Sequence, residues 1–264
     1  MLTEVKNQLK VMVLSVKYNI MREMTNQVTF VTNILFMMLN NAIFIVQWLL
    51  LFHLRDNIGG YKVGDVLVLW GLAASTFGFA NIFFRKAFDL PDLIMNGKLD
   101  SFLVQPKNVL LGVITSGTST SAIGDLLYGF VILCVFKFSI LNVILFTVLT
   151  ISGGIILTSF AVITGSLSFW IVKGDLLSGN LIGVMINMST YPDGIFKGVV
   201  RLMLYSVIPI GLTVYLPVKI IIHFQFKQLL MVLAFAVGII CLAYYIFYKG
   251  LRRYSSSNLM SARV

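Results

Sequence analysis

Apolar runs long enough to cross a lipid bilayer constrain this chain more than any other feature. A membrane-spanning helix needs about 20 predominantly apolar residues. Six runs fit that requirement, at 28–53, 64–84, 109–136, 140–172, 176–196 and 228–248. They occupy most of the 264 residues, which leaves too little for a separate soluble enzyme domain. The sequence therefore predicts an all-α integral membrane protein, with six transmembrane helices in one domain of residues 1–264.

Composition and charge agree with a membrane location. The chain is 58% hydrophobic and only 11% charged, whereas a soluble globular domain carries about 25% charged residues. The net charge of +10 suits Lys and Arg placed at span ends near anionic headgroups. We therefore expect the lipid bilayer, and no nucleic acid, as a partner. Cys134 and Cys241 lie far apart in apolar runs, where we interpret them as small apolar side chains rather than metal ligands.

A further apolar stretch, 199–222, is interrupted by Pro209, Gly211 and Pro217. With six crossings and both termini cytoplasmic, most Lys and Arg residues fall on the cytoplasmic side, as the positive-inside rule requires. A seventh crossing would move the basic cluster KGLRRY, near the C-terminus, to the outside. We therefore predict that 199–222 is a broken, re-entrant segment of the outer leaflet, with prolines at its bends and its backbone covered by protein or water.

Residues 1–24 predict an amphipathic helix ahead of the first span. Apolar residues recur there at helical spacing, at Leu2, Val5, Leu9, Met12, Val16 and Ile20. Lysines flank that stripe, so we expect the helix to lie in the headgroup plane with its apolar side down. An ordinary cytoplasmic helix remains an alternative. We do not expect a cleaved signal peptide here.

The stretch 85–108 between the second and third spans, which the topology puts in the cytoplasm, predicts a short capped helix. Asp89 or Leu90 begins it, and Pro91 suits the first turn because a missing N–H costs nothing there. Asp92 places a carboxylate at the positive end of the helix dipole. Gly97 suits the left-handed residue that ends such a helix.

The same stretch carries an apolar face that we expect to be exposed. Leu90, Leu93 and Ile94 share one side of the short helix, and a second amphipathic piece begins at Leu99. An apolar face outside the membrane needs a partner. Two interpretations remain: the loop folds back onto the headgroups, or it docks a cytoplasmic protein.

Three motifs resemble one family. The loop reads I-x-x-G-K-L-D-x-x-L-x-x-P over 94–106, the fifth run ends in MSTYPDGIF, and the broken segment contains IPIGLTVYLP. These motifs, in this order along the chain, resemble the six-span permease subunits of ABC transporters in the type 2 exporter class. The motif residues near and after the fifth span are Tyr191, Pro192, Pro209, Tyr215 and Pro217.

The resemblance implies a function without catalysis in this chain. Such permeases act as dimers of the same or a related subunit in a prokaryotic cell membrane, and each binds a cytoplasmic ABC ATPase subunit that holds ATP and Mg. The loop would then be the helix that couples to the ATPase, through Asp89, Leu90, Pro91, Asp92, Leu93, Ile94, Gly97, Lys98, Leu99 and Asp100. No cofactor is expected on this chain, because the Gly97-Lys98 pair lacks the rest of a phosphate-binding loop.

Polar residues inside the spans are candidates for a translocation path. Asp125 is a carboxylate well inside the third run, and intramembrane charges are costly unless they serve a function. Asn40, Asn41, Asn180 and Asn187 lie in the first and fifth runs, which the resemblance places near a dimer axis. The alternative for each is a packing role. The hydroxyl-rich residues 115–121 are interpreted as a helix-packing face.

Two other function classes remain alternatives. An ion-coupled secondary transporter normally has several buried ionisable groups and two similar halves, whereas this sequence has Asp125 nearly alone. A membrane protein that only binds a ligand, such as an immunity protein, would have no use for an ATPase-coupling loop. The sequence indicates no catalytic residue and does not select a substrate.

Overall fold

The computed structural model describes residues 2–255 and is almost entirely helical. Residue 1 and residues 256–264 of the predicted domain lie outside the described part. The helices are α1 Leu2–Glu23, α2 Gln27–Leu54, α3 Val63–Phe83, α4 Leu90–Met95, α5 Asp100–Leu103, α6 Val109–Ile114, α7 Ser121–Phe136, α8 Ile140–Ser166, α9 Gly174–Ser189, α10 Gly198–Ser206, α11 Leu216–Ile222 and α12 Phe226–Leu251. A π-helical turn, Gly211–Tyr215, precedes α11, and 3-10 turns lie at Arg85–Ala87, Leu167–Phe169 and Asp193–Ile195.

Four helices are long and apolar enough to cross a membrane: α2, α3, α8 with its following 3-10 turn, and α12. A fifth is reached if α10 and 211–222 count as one span. Helices α7 and α9 have 16 residues each, or about 24 Å at 1.5 Å per residue, against a hydrocarbon core of about 30 Å. The all-helical membrane fold is confirmed, and the count of six spans is not.

The third predicted span, 109–136, is broken, which corrects the prediction of one continuous helix. Helix α6 ends at Ile114, and α7 begins only at Ser121. Between them the Thr118 hydroxyl donates to the carbonyl of Ile82 at 3.0 Å, and the Ser119 amide donates to the carbonyl of Asn81 at 3.1 Å. These bonds satisfy carbonyls that the end of α3 leaves free. The hydroxyl-rich stretch is therefore largely a connection that caps α3 rather than a helix-packing face.

Helix α3 lies at the centre of the bundle, and α7 is its closest neighbour. Small residues let the two backbones approach: a Cβ atom added to Gly71 would meet the Gly129 Cα at 3.3 Å, and one added to Gly78 would lie 2.7 Å from backbone atoms of α7. The Ser75 hydroxyl donates to the Leu126 carbonyl at 2.9 Å across this contact. Close packing of small residues is how helices associate where lipid removes the hydrophobic driving force.

Helix α1 packs against the connection between α6 and α7. The Ser15 hydroxyl and the Asn19 amide both donate to the Thr115 carbonyl, at 3.0 and 3.1 Å. Val16 is buried, and Met12 and Ile20 on the same face are half-buried. The side chains of Leu2, Val5 and Leu9 lie outside the described part. The predicted helix is therefore present, and its position in the headgroup plane stays a prediction.

The connections gather at two ends of the bundle. One end, which we call the Asp193 end, holds residues 55–62, 137–139, 190–197 and 223–225. The other, which we call the Asp92 end, holds 84–108 and 167–173.

A buried carboxylate ties the Asp193 end together. Oδ1 of Asp193 accepts a hydrogen bond from the Tyr61 hydroxyl at 2.8 Å, and Oδ2 accepts from the Tyr205 hydroxyl at 2.9 Å. Nζ of Lys219 lies 2.6 Å from Oδ2, and an Arg201 nitrogen lies 3.4 Å from it. Burial by itself opposes ionisation of Asp193, but the hydrogen bonds from Lys219, Tyr61 and Tyr205 outweigh it, so the pKa of Asp193 is lowered. One side chain thereby joins four segments.

The segment 198–222 is broken, as predicted. Helix α10 and the stretch 211–222 meet at 75°, with Pro209 in the break. Because Arg201 and Lys219 both reach Asp193, the segment begins and ends at the same end of the bundle. Pro217 does not lie at a bend: it is in the first turn of α11, directly after the π-helical turn. A proline is tolerated there because a first turn does not use that N–H.

We expect Gly129→Ala to destabilise the bundle by about 1–3 kcal/mol, since overpacking a filled contact costs this much. The added Cβ would overlap the Ser75 hydroxyl and the Gly71 carbonyl. Thermal unfolding in detergent measures the effect. Gly238→Ala in α12 is the control, because a Cβ there meets nothing within 4 Å. An equal loss in both variants would contradict the close α3–α7 contact.

We expect Asp193→Asn to lower the free energy of unfolding by about 1–3 kcal/mol, because the amide keeps only one of the two acceptor oxygens and a buried donor loses its partner. Asp56→Asn, at an exposed position in the neighbouring loop, should change little. Since the folded pKa of Asp193 is lowered, its contribution is present above the unfolded pKa of about 3.9 and is lost only as pH falls through the folded value. Unfolding measured from pH 5 to 8 should therefore show a constant difference between wild type and Asp193→Asn.

Candidate functional site

The short helix predicted in 85–108 is present as α4. Pro91 occupies its first turn, and Gly97 follows it with φ of 68°. The Lys98 amide donates to the Leu93 carbonyl at 3.0 Å, and the Gly97 amide donates to the Ile94 carbonyl at 3.4 Å. This pair of bonds is the Schellman motif, which requires the left-handed backbone that glycine adopts at no steric cost. Gly97 thereby fixes the direction in which the chain leaves α4.

The apolar face of α4 is buried, which corrects the prediction that it is exposed. Leu90 and Ile94 are fully buried and Leu93 is 8% exposed. They belong to an apolar cluster at the Asp92 end that includes Phe169 and Phe247. Helix α4 contacts α8, α9 and the 3-10 turn at 167–169. The bundle itself supplies the partner that the sequence analysis assigned to headgroups or to another protein.

Burial of Leu99 extends this attachment beyond α4, since its side chain is also fully buried. Asp89 forms ion pairs with Lys86 at 3.0 Å and with Arg85 at 3.7 Å. Apolar contacts therefore attach the segment to the bundle, whereas the two ion pairs lie within the segment and stabilise its start.

The opposite side of the segment is polar and exposed. Lys98 Nζ lies 2.9 Å from Asp92 Oδ2, with both side chains more than half exposed. Asn96 also donates to Asp92, and Asp100 is exposed beside them. We call Asp92, Asn96, Lys98 and Asp100 the polar platform. Its side chains are available to a binding partner without any disturbance of the apolar contacts below.

A second candidate site is a cavity of about 220 Å³ inside the bundle. Asn40, Asn41 and Asp125 all line it, so the structure brings together three of the predicted path residues. The Asn41 amide donates to Asp125 Oδ1 at 2.6 Å and to the Met37 carbonyl at 3.1 Å. The sequence analysis did not identify Trp70 and Thr76 of α3 and Thr213 of the π-helical turn, which also line the cavity. Tryptophan and threonine are ordinary residues of apolar helices, so nothing in the sequence indicated that these three residues line a cavity.

Asn180 and Asn187 do not line this cavity. The residues that α9 contributes to it are Met185, Ile186 and Ser189, and Thr190 follows directly. Asn180 and Asn187 instead lie on the exposed face of α9. The predicted set of path residues is thus divided between the cavity and an outer helix face.

The motif residues of the fifth span and of the broken segment are structural. The Tyr191 ring packs edge-on against Trp48 with centroids 6.0 Å apart, and the Tyr215 hydroxyl donates to the Met188 carbonyl at 2.7 Å. Pro192 leads into the 3-10 turn that holds Asp193. Asp193 lies within the MSTYPDGIF motif but was not among the predicted site residues. The signal in the sequence was a lone carboxylate followed by three cations, Lys197, Arg201 and Lys219, in a largely apolar stretch.

Within residues 2–255 no three metal-ligating side chains come together. The two sites that remain are the polar platform and the cavity.

Comparison with known proteins identifies the family. A model described as "ABC-2 family transporter protein" matches residues 35–258, which is most of the chain. No curated protein and no solved structure matches. The matched range includes the segment 85–108, the cavity and Asp193. The chain therefore belongs to the ABC-2 family of transporter proteins.

Proposed function

We propose that this chain is the permease subunit of an ABC exporter, forming the translocation path as a dimer and driven by separate ATPase subunits that bind ATP and Mg. Family membership supports a membrane permease with ABC ATPase partners. The coupling proposal rests on one observation, which is that the two sides of the segment 85–108 differ. It has a buried apolar face on the bundle and an exposed polar platform.

Coupling requires that a push on the platform reach the transmembrane helices. Helix α4 contacts α8 and α9 directly. A Cβ atom added to Gly165 of α8 would meet Leu90 and Pro91 at 3.2 Å, so α4 and α8 are closely packed here. Close-packed interiors transmit displacement rather than absorb it. An ATPase that engages the platform would therefore move the ends of α8 and α9.

The orientation that follows has the Asp92 end in the cytoplasm of a prokaryotic cell. Basic residues are concentrated there, in the turn Arg85–Ala87, at Lys98 and in the KGLRRY cluster that ends α12. The positive-inside rule favours this orientation and places α1 on the cytoplasmic surface, with its exposed lysines toward anionic headgroups. Both termini would then be cytoplasmic. The segment 198–222 would enter and leave the membrane from the outer side.

The exposed face of α2 supports a dimer. Asn33, Asn40 and Gln47 recur at every seventh position and are exposed. Amide groups facing lipid lack hydrogen-bond partners, which is costly. A second copy, or a closely related subunit, laid against α2 would provide those partners.

Helix α9 supports the same interface. Gly179 and Gly183 form a small-residue pair with open space around them, which allows the close approach of another helix. Asn40 of α2, Ile186 of α9 and Thr190 directly after α9 are exposed or half-exposed residues that line the cavity. A dimer formed through these helices would place the two cavities beside its axis.

The coupling proposal predicts that Asp92→Lys abolishes ATPase co-purification and vanadate-sensitive ATP hydrolysis while the protein still folds, because Asp92 is exposed. The double variant Asp92→Lys/Lys98→Asp keeps an internal ion pair but inverts the charges that the platform presents. We expect it to remain inactive. Recovery of activity in the double variant would mean that the ion pair is merely structural. Asp56→Lys, at the opposite end, is the control and should retain full hydrolysis.

The dimer proposal predicts disulfide cross-linking through α2. In a background lacking Cys134 and Cys241, both exposed, Asn40→Cys should give a cross-linked species under mild oxidation in native membranes. The expected species contains two copies of the permease; if the partner is a related subunit, the corresponding position of that subunit is changed to Cys as well. Val237→Cys on α12, 62% exposed, is the matched control. Equal cross-linking at both positions would contradict an interface through α2.

A further inference from the structure

Three residues that line the cavity each carry a buried polar atom without a protein partner. These atoms are Nε1 of Trp70, Oγ1 of Thr76 and Oδ2 of Asp125. All three residues line the same cavity and are at least nine-tenths buried, with exposures of 8%, 2% and 5%. Buried polar groups are nearly always hydrogen-bonded, so three open groups around one space indicate an occupant.

The carboxylate is the most demanding of the three. Asn41 holds Oδ1 of Asp125 at 2.6 Å, whereas Oδ2 has no hydrogen-bond partner among the described residues. None of the ion pairs among the described residues includes Asp125. A carboxylate in a membrane interior ordinarily pairs with a cation or faces water. The missing partner is therefore a group with a positive charge or a hydrogen-bond donor.

The rest of the cavity defines the remainder of such a ligand. Its walls are mainly apolar and aromatic, with Phe77, Leu157 and Met185 among them. Trp70 donates one hydrogen bond, whereas the Thr76 hydroxyl can donate or accept. An indole ring also attracts a cation that approaches its face. The complementary molecule carries an ammonium, a nearby acceptor and an apolar body.

We propose that this cavity binds an apolar molecule bearing a protonated primary amine, with the ammonium on Asp125 Oδ2 and an adjacent acceptor on Trp70 Nε1. Asn41 is a positioning residue that fixes the carboxylate. A volume of about 220 Å³ suits a small amine or the amine-bearing end of a larger molecule. Only the further statement that this ligand is cargo rests on the proposed function.

Binding is tested on the purified permease in lipid nanodiscs. The probes are 4-phenylbutylamine and 4-phenylbutanol, which share an apolar body and differ in the charged group. Titration calorimetry should give at least a tenfold preference for the amine in the wild type. Asp125→Asn should remove that preference, mainly by weakening the binding of the amine. Asp65→Asn, which neutralises a carboxylate paired with Lys137 at 3.3 Å, should keep the preference.

Two results would overturn the inference. Equal affinities for the two probes, or no saturable binding of either, would mean that the cavity holds only water. Retention of the preference in Asp125→Asn would place the amine elsewhere. If Asp125→Asn does not fold, Thr76→Val provides the second test, and a several-fold loss of amine affinity is expected.

The outcome is distinguishable from a failure of the proposed function. Binding requires only the permease, whereas ATPase co-purification is measured separately. Selective amine binding without an ATPase partner would support the assignment of the cavity as an amine site and contradict the exporter proposal. An ATPase partner without amine selectivity would do the reverse.

Discussion

The close contact between α3 and α7 sets the rest of the structure. Glycines at positions 71, 78 and 129 bring the two backbones together, and Ser75 bonds across the contact. Because α3 contributes Trp70 and Thr76 and α7 contributes Asp125, the same packing that holds the helices together determines how far apart the polar groups of the cavity lie. Helix α2 then packs over α7, where Gly124 leaves room for its backbone and Asn41 reaches the carboxylate.

The two ends of the bundle are held together by different kinds of interaction. At the Asp92 end, an apolar cluster fixes α4 and leaves charged side chains outward. At the Asp193 end, one buried carboxylate gathers two tyrosines and two cations from separate segments. Helix α9 runs from one end to the other, starting beside the 3-10 turn that contacts α4 and ending next to the cavity and Asp193. Through its contact with α4, it connects the end that carries the platform with the cavity.

Sequence reasoning succeeded where one local property decides the outcome. The bounds of α2, α3 and α12 follow from long apolar runs, and Gly97 ends α4 because a left-handed residue is needed there. It failed where tertiary contacts decide. Apolarity alone cannot show that Leu90 and Ile94 face the bundle rather than a partner. The break before α7 depends on a hydrogen bond from a hydroxyl to the end of α3. The structural role of Asp193 depends on its ion pair with a cation far along the chain.

The buried carboxylate of α7 also has a consequence for how the protein is made. An aspartate at the fifth position of a 16-residue apolar helix disfavours insertion into the bilayer, by up to about 2.5–3.5 kcal/mol, which is the cost at a helix centre on insertion scales. Helix α7 is thus poorly suited to pass from the translocation machinery into lipid as an isolated helix. Its contact with α3 and the bond from Asn41 offer a preformed partner, since α2 and α3 are synthesised first. Membrane integration of α7 would then be a cooperative step, in which earlier helices accept the later one before lipid does.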